Sequence, residues 1–254
     1  MHAPVELADL AADVLARIRA QTPRVHCITN TVAQSYTANM LLAVGATPSM
    51  TTAPDEIAAF TAGADALLVN LGTLDMERRV AITAALAAAS ERHLPWVLDP
   101  VFIDRSPPRA AFARELLGRR PAVLRLNRAE FEALSAETDV DAPSRFAKAR
   151  RVVVALTGSV DRVADGERRV TIGNGHALMA RVTAMGCAGS ALVGAALAVE
   201  ADQWLAAAAA LAILGVAGEV AAERATGPGS FAGAIVDAVY NLKRATLRAR
   251  IKVS

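Results

Sequence analysis

Short apolar runs alternate with longer stretches of helical spacing along most of the chain. Val5, Leu7, Leu10, Val14, Leu15 and Ile18 recur on one helix face, which predicts a helix from Val5 to Ala20, ended by Pro23. Arg24-Val-His-Cys-Ile-Thr29 reads as a strand. The polar turn Thr29-Asn30-Thr31 leads into a helix from about Val32 to Val44, with Asn30 or a neighbour as its cap and Gly45 as its end. Ala46 to Met50 is extended, Asp55 to Ala62 a short helix, and Ala66-Leu-Leu-Val-Asn70 a buried type of strand. Met76 to Arg92 is an Ala-rich helix, and Trp96-Val-Leu-Asp-Pro100 a strand ending in an acid and a helix breaker. Ala110 to Leu117 is helical, Ala122 to Leu126 is the next strand, and Asn127 opens a helix to Ser135. Val152-Val-Val-Ala-Leu156 is again a strand, ending in Thr157-Gly158.

Such alternation predicts an α/β fold with a mostly parallel central sheet covered by helices on both faces. The pattern then changes to a hairpin, Val160–Asp165 and Arg168–Ile172, turning on Asp165-Gly166, with a further strand near Met179 to Thr183. Three helices close the chain: Cys187–Val199, Gln203–Arg224 and Phe231–Arg248, the last two separated by Gly227-Pro-Gly229. No linker, repeat or low-complexity segment interrupts the pattern, so residues 1–254 are expected to form one domain.

Composition narrows the function classes. With 254 residues the chain can bury a sizeable core, although Ala supplies much of its 54% hydrophobic fraction. Lys+Arg 27 against Asp+Glu 25 leaves a net charge of +2, and no basic stripe is interleaved with aromatics; nucleic acid is not an expected partner. The longest apolar run, Trp204 to Gly218, stops at Glu219, short of the roughly 20 residues of a membrane span. Acidic Glu6, Asp9 and Asp13 argue against a signal peptide. Cys27 and Cys187 make neither a disulfide framework nor a metal-ligand spacing, and a cytoplasmic setting is expected.

The candidate chemistry lies beyond the carboxyl ends of the strands, where ligands of open α/β sheets bind. The polar residues there are Asn70, Asp99, Arg125, Asn127, Glu130, Thr157 and the Thr183–Cys187 junction. That junction reads as a strand end, Val182-Thr183, turning at Gly186 into a helix of small residues. Its exposed N–H groups and helix dipole would bind an anion, and a cysteine there should have a lowered pKa. The other reading of Cys187 is a buried structural thiol. Asn127 and Glu130, three apart at a helix start, are either a capping box or an oxygen-rich Mg²⁺ site. Arg125 either meets phosphate or neutralises Glu130. His26 and His176 are candidate bases for a thiol hydrolase, but nothing local orients either ring. There is no phosphate-binding G-x-x-x-x-G-K-[ST] loop, no G-x-G-x-x-G and no G-x-S-x-G.

Val25-His-Cys-Ile-Thr-Asn30, Thr37-Ala-Asn39, Gly45-Ala-Thr-Pro-Ser-Met50, Leu68-Val-Asn-Leu-Gly-Thr73 and Trp96-Val-Leu-Asp-Pro-Val101 form a collinear series. It continues through Arg125-Leu-Asn-Arg-Ala-Glu130, Val153-Val-Ala-Leu-Thr-Gly158, Gly186-Cys187 and Gly227-Pro-Gly-Ser-Phe231. In this series the chain resembles the hydroxyethylthiazole kinase family of the ribokinase-like fold. The resemblance implies ATP- and Mg²⁺-dependent phosphorylation of the hydroxyl of 4-methyl-5-(2-hydroxyethyl)thiazole in thiamine salvage, by a homotrimer with interfacial active sites. It implies Cys187 as the catalytic residue, Met50, Ala184 and Asn30 at the substrate, Arg125, Thr157 and Gly186 at ATP, and Asn127, Glu130 and Asp99 at the metal. Another small heterocyclic alcohol as acceptor, or a non-catalytic nucleotide or thiazole binder, are the alternatives. The family usually has Gly-Thr-Gly-Cys where this chain has Ala184-Met185 before Gly186-Cys187; if position 184 needs a positive φ, Ala is strained there. Phe102-Ile-Asp104 replaces a smaller, Gly-containing segment, and the stretch between Glu130 and Val152 is shorter than usual.

Overall fold

The computed structural model describes residues 4–254, with side chains from Glu6 onward; the first three residues of the expected domain and the Val5 side chain lie outside the described part. The strands are β1 (Arg24–Ile28), β2 (Thr47–Ser49), β3 (Ala66–Asn70), β4 (Trp96–Asp99), β5 (Val123–Asn127), β6 (Val153–Thr157), β7 (Asp161–Ala164) and β8 (Arg169–Ile172). They form one sheet in the order β2-β1-β3-β4-β5-β6-β7-β8, parallel through β6 and antiparallel beyond it. The helices are α1 (Pro4–Gln21), α2 (Gln34–Val44), α3 (Ile57–Ala62), α4 (Met76–Glu91), α5 (Pro107–Leu117), α6 (Arg128–Ser135), α7 (Ala142–Arg150), α8 (Met185–Leu197), α9 (Gln203–Ala222), α10 (Pro228–Asn241) and α11 (Arg244–Arg250).

Side chains of a strand alternate between its two faces, and here each face has its own core. Leu67, Val69, Trp96, Leu98, Leu124, Val154 and Leu156 pack under α3 to α7. Leu68, Val97, Val123, Val153 and Ala155 pack under α1, α2 and α8 to α11. Strands β1 and β3 to β6 contribute to both cores, which is why β3 to β6 read as largely apolar runs rather than alternating ones. The α9 helix is long and apolar enough to cross a membrane, but most of it is buried inside the fold.

Three expectations are corrected. Asn30 does not cap α2; Ala33 holds that position without a side-chain bond, and the Asn30 amide turns inward instead. Met179 to Thr183 is not a strand. Ala177–Arg181 forms a 3₁₀ turn, because the outer edge of β8 is already taken by a bridge from Ile172 to Val253, and Met179 packs over Gly218 of α9. The expected Phe231–Arg248 helix breaks into α10 and α11 at Leu242, an extended residue with ψ 128° that carries neither Gly nor Pro as a signal. The sequence pattern also missed α7, whose Pro143, Ser144, Arg145 and Lys148 leave too thin an apolar stripe to mark a helix.

Arginines of α1 secure the far ends of two helices. Arg17 Nη1 donates to Val199 O (3.0 Å) just past α8, and Arg19 donates to the carbonyls of Val239 (2.9 Å), Tyr240 (2.8 Å) and Leu242 (2.9 Å) where α10 ends. Apart from Val239 O, which also accepts from Leu242 N at 3.4 Å, these carbonyls have no backbone partner, and the guanidinium also opposes the negative end of the helix dipole. Gly45 permits this approach. It ends α2 at φ 99°, and a Cβ there would sit 3.1 Å from Arg19 Cα. Replacing Arg19 with Ala is expected to destabilise the protein by about 1–2 kcal/mol in urea unfolding; an unchanged midpoint would show that the cap contributes nothing.

Candidate active site

The period-two alternation that splits the core also assembles the site. Asn70, Asp99, Arg125 and Thr157 each lie two residues beyond Leu68, Val97, Val123 and Ala155, so all four are directed to the α8 side of the sheet. Register sets Asn70 opposite Asp99, while Arg125 lies opposite Ala155 and Thr157, opposite Asn127, stands two residues further along the rim. Strand β1 runs between β2 and β3, so chain connections diverge on either side of it, opening a crevice at the carboxyl ends of β1 and β3.

The N-terminus of α8 points into this crevice. Val182 is extended, as expected, but the turn is made by Ala184, at φ 70° and ψ 0°, and not by Gly186, which already lies in the first helical turn. The amides of Met185 and Ala188 donate back to Val182 O and Ala184 O; those of Gly186 and Cys187 have no acceptor. Ala184 offers no capping side chain. The open donors and the helix dipole together make an anion-binding end.

Small residues let Arg125 lie against this turn. A Cβ on Gly189 would stand 3.2 Å from Arg125 Nη2 and 2.9 Å from Leu214 Cδ2. Arg125 is 9% exposed; Nη1 donates to Ser190 Oγ (3.3 Å), while Nε is buried without a partner. From Ser190 a buried chain of polar groups runs under the helix. Ser190 Oγ donates to Asp99 Oδ2 (2.7 Å), as does Asn70 Nδ2 (2.7 Å); Asn70 Oδ1 accepts from Gly72 N (2.9 Å) and Asn30 Nδ2 (3.4 Å), and Asn30 Nδ2 also donates to Cys187 Sγ (3.1 Å). Asn30 Oδ1 is buried and has no donor. Gly72 has no room for a side chain, since a Cβ would fall 2.8 Å from Asn30 Cβ and 3.0 Å from Asn70 Oδ1.

The electrostatics correct one expectation. Burial pushes the Cys187 thiol up to about 11, reinforced by the charge of Asp99 and opposed only in part by Asn30, Asn70 and Arg125. The helix dipole therefore does not produce a thiolate here, because desolvation and the nearby carboxylate outweigh it. Burial also raises Asp99, to about 6, against the smaller pulls of Arg125, Ser190 and Asn70.

Among the expected site residues, Cys187, Asn30, Asp99, Arg125, Gly186 and Ala184 meet at the α8 end. Thr157 stands at the end of β6 with its hydroxyl on Leu126 O (3.3 Å). Asn127 and Glu130 form a full capping box on α6: Asn127 Oδ1 accepts from Glu130 N (3.0 Å) and Glu130 Oε2 from Asn127 N (2.9 Å). The other oxygen, Oε1, accepts from Phe102 N (2.9 Å), tying α6 to the loop after β4. Met50 lies in the loop after β2, half-buried against the α8-side core. Sequence reasoning missed Ser190, although it lies three residues after Cys187 and so on the same helix face. Among the described residues no group of three or more His, Cys, Asp or Glu side chains could hold a metal by itself.

Two outcomes follow from this geometry. Ala184 occupies a left-handed conformation that costs about 1–2 kcal/mol for a side-chain-bearing residue. Ala184→Gly should raise stability by about 0.5–1 kcal/mol after the entropy cost of Gly; a loss would show that φ 70° is unstrained. Below its raised pKa the Cys187 thiol keeps its proton, so its alkylation by iodoacetamide should be slow at pH 7.5. The rate should climb about tenfold per pH unit as the thiolate fraction grows, and a plateau near pH 8 would contradict the raised value.

Comparison with known proteins agrees with this architecture. The family model described as "HK: Hydroxyethylthiazole kinase family" matches residues 15–245. A curated relative from Agrobacterium fabrum, named probable hydroxyethylthiazole kinase, is 47% identical over 232 residues, covering 91% of this chain and 89% of its own. The structure of a hydroxyethylthiazole kinase protein from Pyrococcus horikoshii superposes with a TM-score of 0.94 at 38% identity, covering 97% of this chain and 98% of that one. A ribokinase-like superfamily protein from Enterococcus faecalis, 13% identical, shares the fold alone, with a TM-score of 0.70 over 92% of this chain and 95% of its own. The chain thus has a ribokinase-like α/β fold and belongs to the hydroxyethylthiazole kinase family.

Proposed function

We propose that this chain, acting as a single kinase domain, transfers the γ-phosphoryl group of ATP to the hydroxyl of 4-methyl-5-(2-hydroxyethyl)thiazole in thiamine salvage. The observation that carries this reading is the half-satisfied Arg125, buried against the open first turn of α8 in a member of this family. A guanidinium beside a helix N-terminus is repelled by the dipole unless an anion joins them, and phosphate oxygens would take up both sets of free donors. Gly186 then serves through its backbone N–H, and Thr157, level with Asn127 on the same rim, reaches the nucleotide.

The acceptor alcohol enters on the other side of Cys187, between Asn30, Met50 and Ala184. Asn30 Oδ1, the buried acceptor without a donor, suits a substrate hydroxyl. As the hydroxyl oxygen bonds to the γ-phosphorus, the bond to ADP breaks, and the hydroxyl proton passes to Cys187 Sγ in its thiolate form, which becomes the thiol. Burial leaves that thiolate the minor form at neutral pH, so catalysis rests mainly on alignment and charge neutralisation.

Mg²⁺ fits the donor set. Asp99 Oδ1 accepts no hydrogen bond, Glu130 spends each oxygen on a single backbone N–H, and hard carboxylate oxygens beside phosphates suit an ion that retains several waters. Asp99 and Glu130, with Asn127 orienting the latter, would hold it, and bound Mg²⁺ would neutralise phosphate charge. By family resemblance the protein works in the cytoplasm as a homotrimer with active sites between subunits.

A second reading keeps the reaction and changes the alcohol. It is favoured by Phe102, which is 53% exposed at φ 58° where the family resemblance implies a smaller, Gly-containing segment, and whose amide is held by Glu130. A coupled ADP-release assay with ATP, Mg²⁺ and a panel of heterocyclic alcohols decides between them. Turnover of the thiazole alcohol is expected, and folded protein without any at high concentration would end the first reading. Cys187→Ser should lower kcat by about 10²-fold, with little change in KM; a loss beyond about 10⁴-fold would mean that the thiol does more than accept a proton.

A further inference from the structure

We propose that His26 is a positioning residue for the acceptor alcohol: from β1 it grips the residues on both sides of Met50 and sets where the loop after β2 stands in the site. This inference rests on the proposed thiazole kinase reading. His26 is fully buried, on the face of β1 opposite Cys27. Its Nε2 lies 3.0 Å from Thr51 O and its Nδ1 2.8 Å from Ser49 Oγ. A carbonyl only accepts, so Nε2 carries the proton and Nδ1 accepts from the Ser49 hydroxyl. Both ring nitrogens are therefore used on the immediate neighbours of one residue, Met50.

The loop has few other restraints. Met50, Thr51 and Thr52 make no backbone-to-backbone hydrogen bond. The remaining ties are local: Thr51 Oγ1 accepts from Ala53 N (3.2 Å) and donates to Glu56. His26 is thus the link between this loop and the sheet, continuing the β1–β2 register in which His26 pairs with Ser49. The ring is itself steadied by Phe60 of α3, 5.9 Å away between centroids. Burial lowers its pKa, against weaker pulls from Thr51 O and Glu56, which keeps the ring in the neutral tautomer that both bonds require.

The test uses full-length His26→Phe, His26→Gln and Ser49→Ala. His26→Phe removes both bonds; His26→Gln retains a donor for Thr51; Ser49→Ala removes one bond from a half-buried position and guards against failed folding of the buried variant. Amide exchange across residues 49–53 should quicken in His26→Phe and Ser49→Ala. The KM for the thiazole alcohol should rise about tenfold in His26→Phe, with the KM for ATP unchanged and kcat little altered. His26→Gln should recover part of the lost affinity. A merely structural histidine would lower thermal stability and shift both KM values together, and that pattern overturns the inference, as does unchanged exchange at 49–53. Wild-type protein without thiazole turnover sinks the proposed function and with it the substrate half of this inference. A normal thiazole KM in an active His26→Phe enzyme sinks this inference alone.

Discussion

Asp99 and Arg125 are opposite charges buried under the first turns of α8, and much of the site is arranged to make that burial tolerable. Removing ions from water costs several kcal/mol each, a cost met only when their remaining hydrogen-bonding capacity is also used. Asp99 obtains two donors, from Ser190 and Asn70, while Arg125 obtains one acceptor and keeps Nε unmatched. The glycine at 189 of α8 follows from the same need, because it leaves the space that the guanidinium fills. The carboxylate is better served than the guanidinium. What is left over is cationic, and it faces the positive end of a helix.

The same low-dielectric setting shapes Cys187. A helix N-terminus in water would favour the thiolate, but here the carboxylate of Asp99 acts on the thiol more strongly than Arg125 does and solvent is largely excluded. Cys187 thus shares the asparagine chain with Asp99 and is held by it in geometry while being disfavoured by it in charge. A site built in this way suits phosphoryl transfer, which depends on alignment more than on a strong base.

The fold was largely legible because parallel strands buried on both faces appear as apolar runs, and each run ended where a polar residue was needed. Asn70, Asp99, Arg125 and Thr157 were readable as one row through the two-residue period alone. The hairpin on Asp165-Gly166 and the Asn127–Glu130 capping box were visible for the same local reason. Features set by tertiary competition were not. The segment from Met179 to Thr183 has strand-forming residues but finds the sheet edge occupied, and α10 ends where Arg19, more than 200 residues earlier in the chain, supplies acceptor-seeking protons. The thiol pKa was misjudged because a sequence shows the helix end but not the depth of burial or the neighbouring acid. Ser190 lies outside every segment that carries the resemblance, and Gly72, though inside Leu68–Thr73, has no role of its own there; only their contacts with Asn30, Asn70 and Asp99 reveal them.

Arg17 holds the far end of α8, whose interior residues from Cys187 to Leu197 are all buried. The helix therefore cannot slide towards an anion drawn to its open end. Its wall of the pocket behaves as a fixed floor, and any accommodation of a different guest must come from the surrounding rim: the loop bearing Met50 and the loop bearing Phe102. Selectivity and phosphate capture are mechanically separate in such a layout. Natural variation can then reshape what the pocket accepts without disturbing the machinery that handles the phosphoryl group.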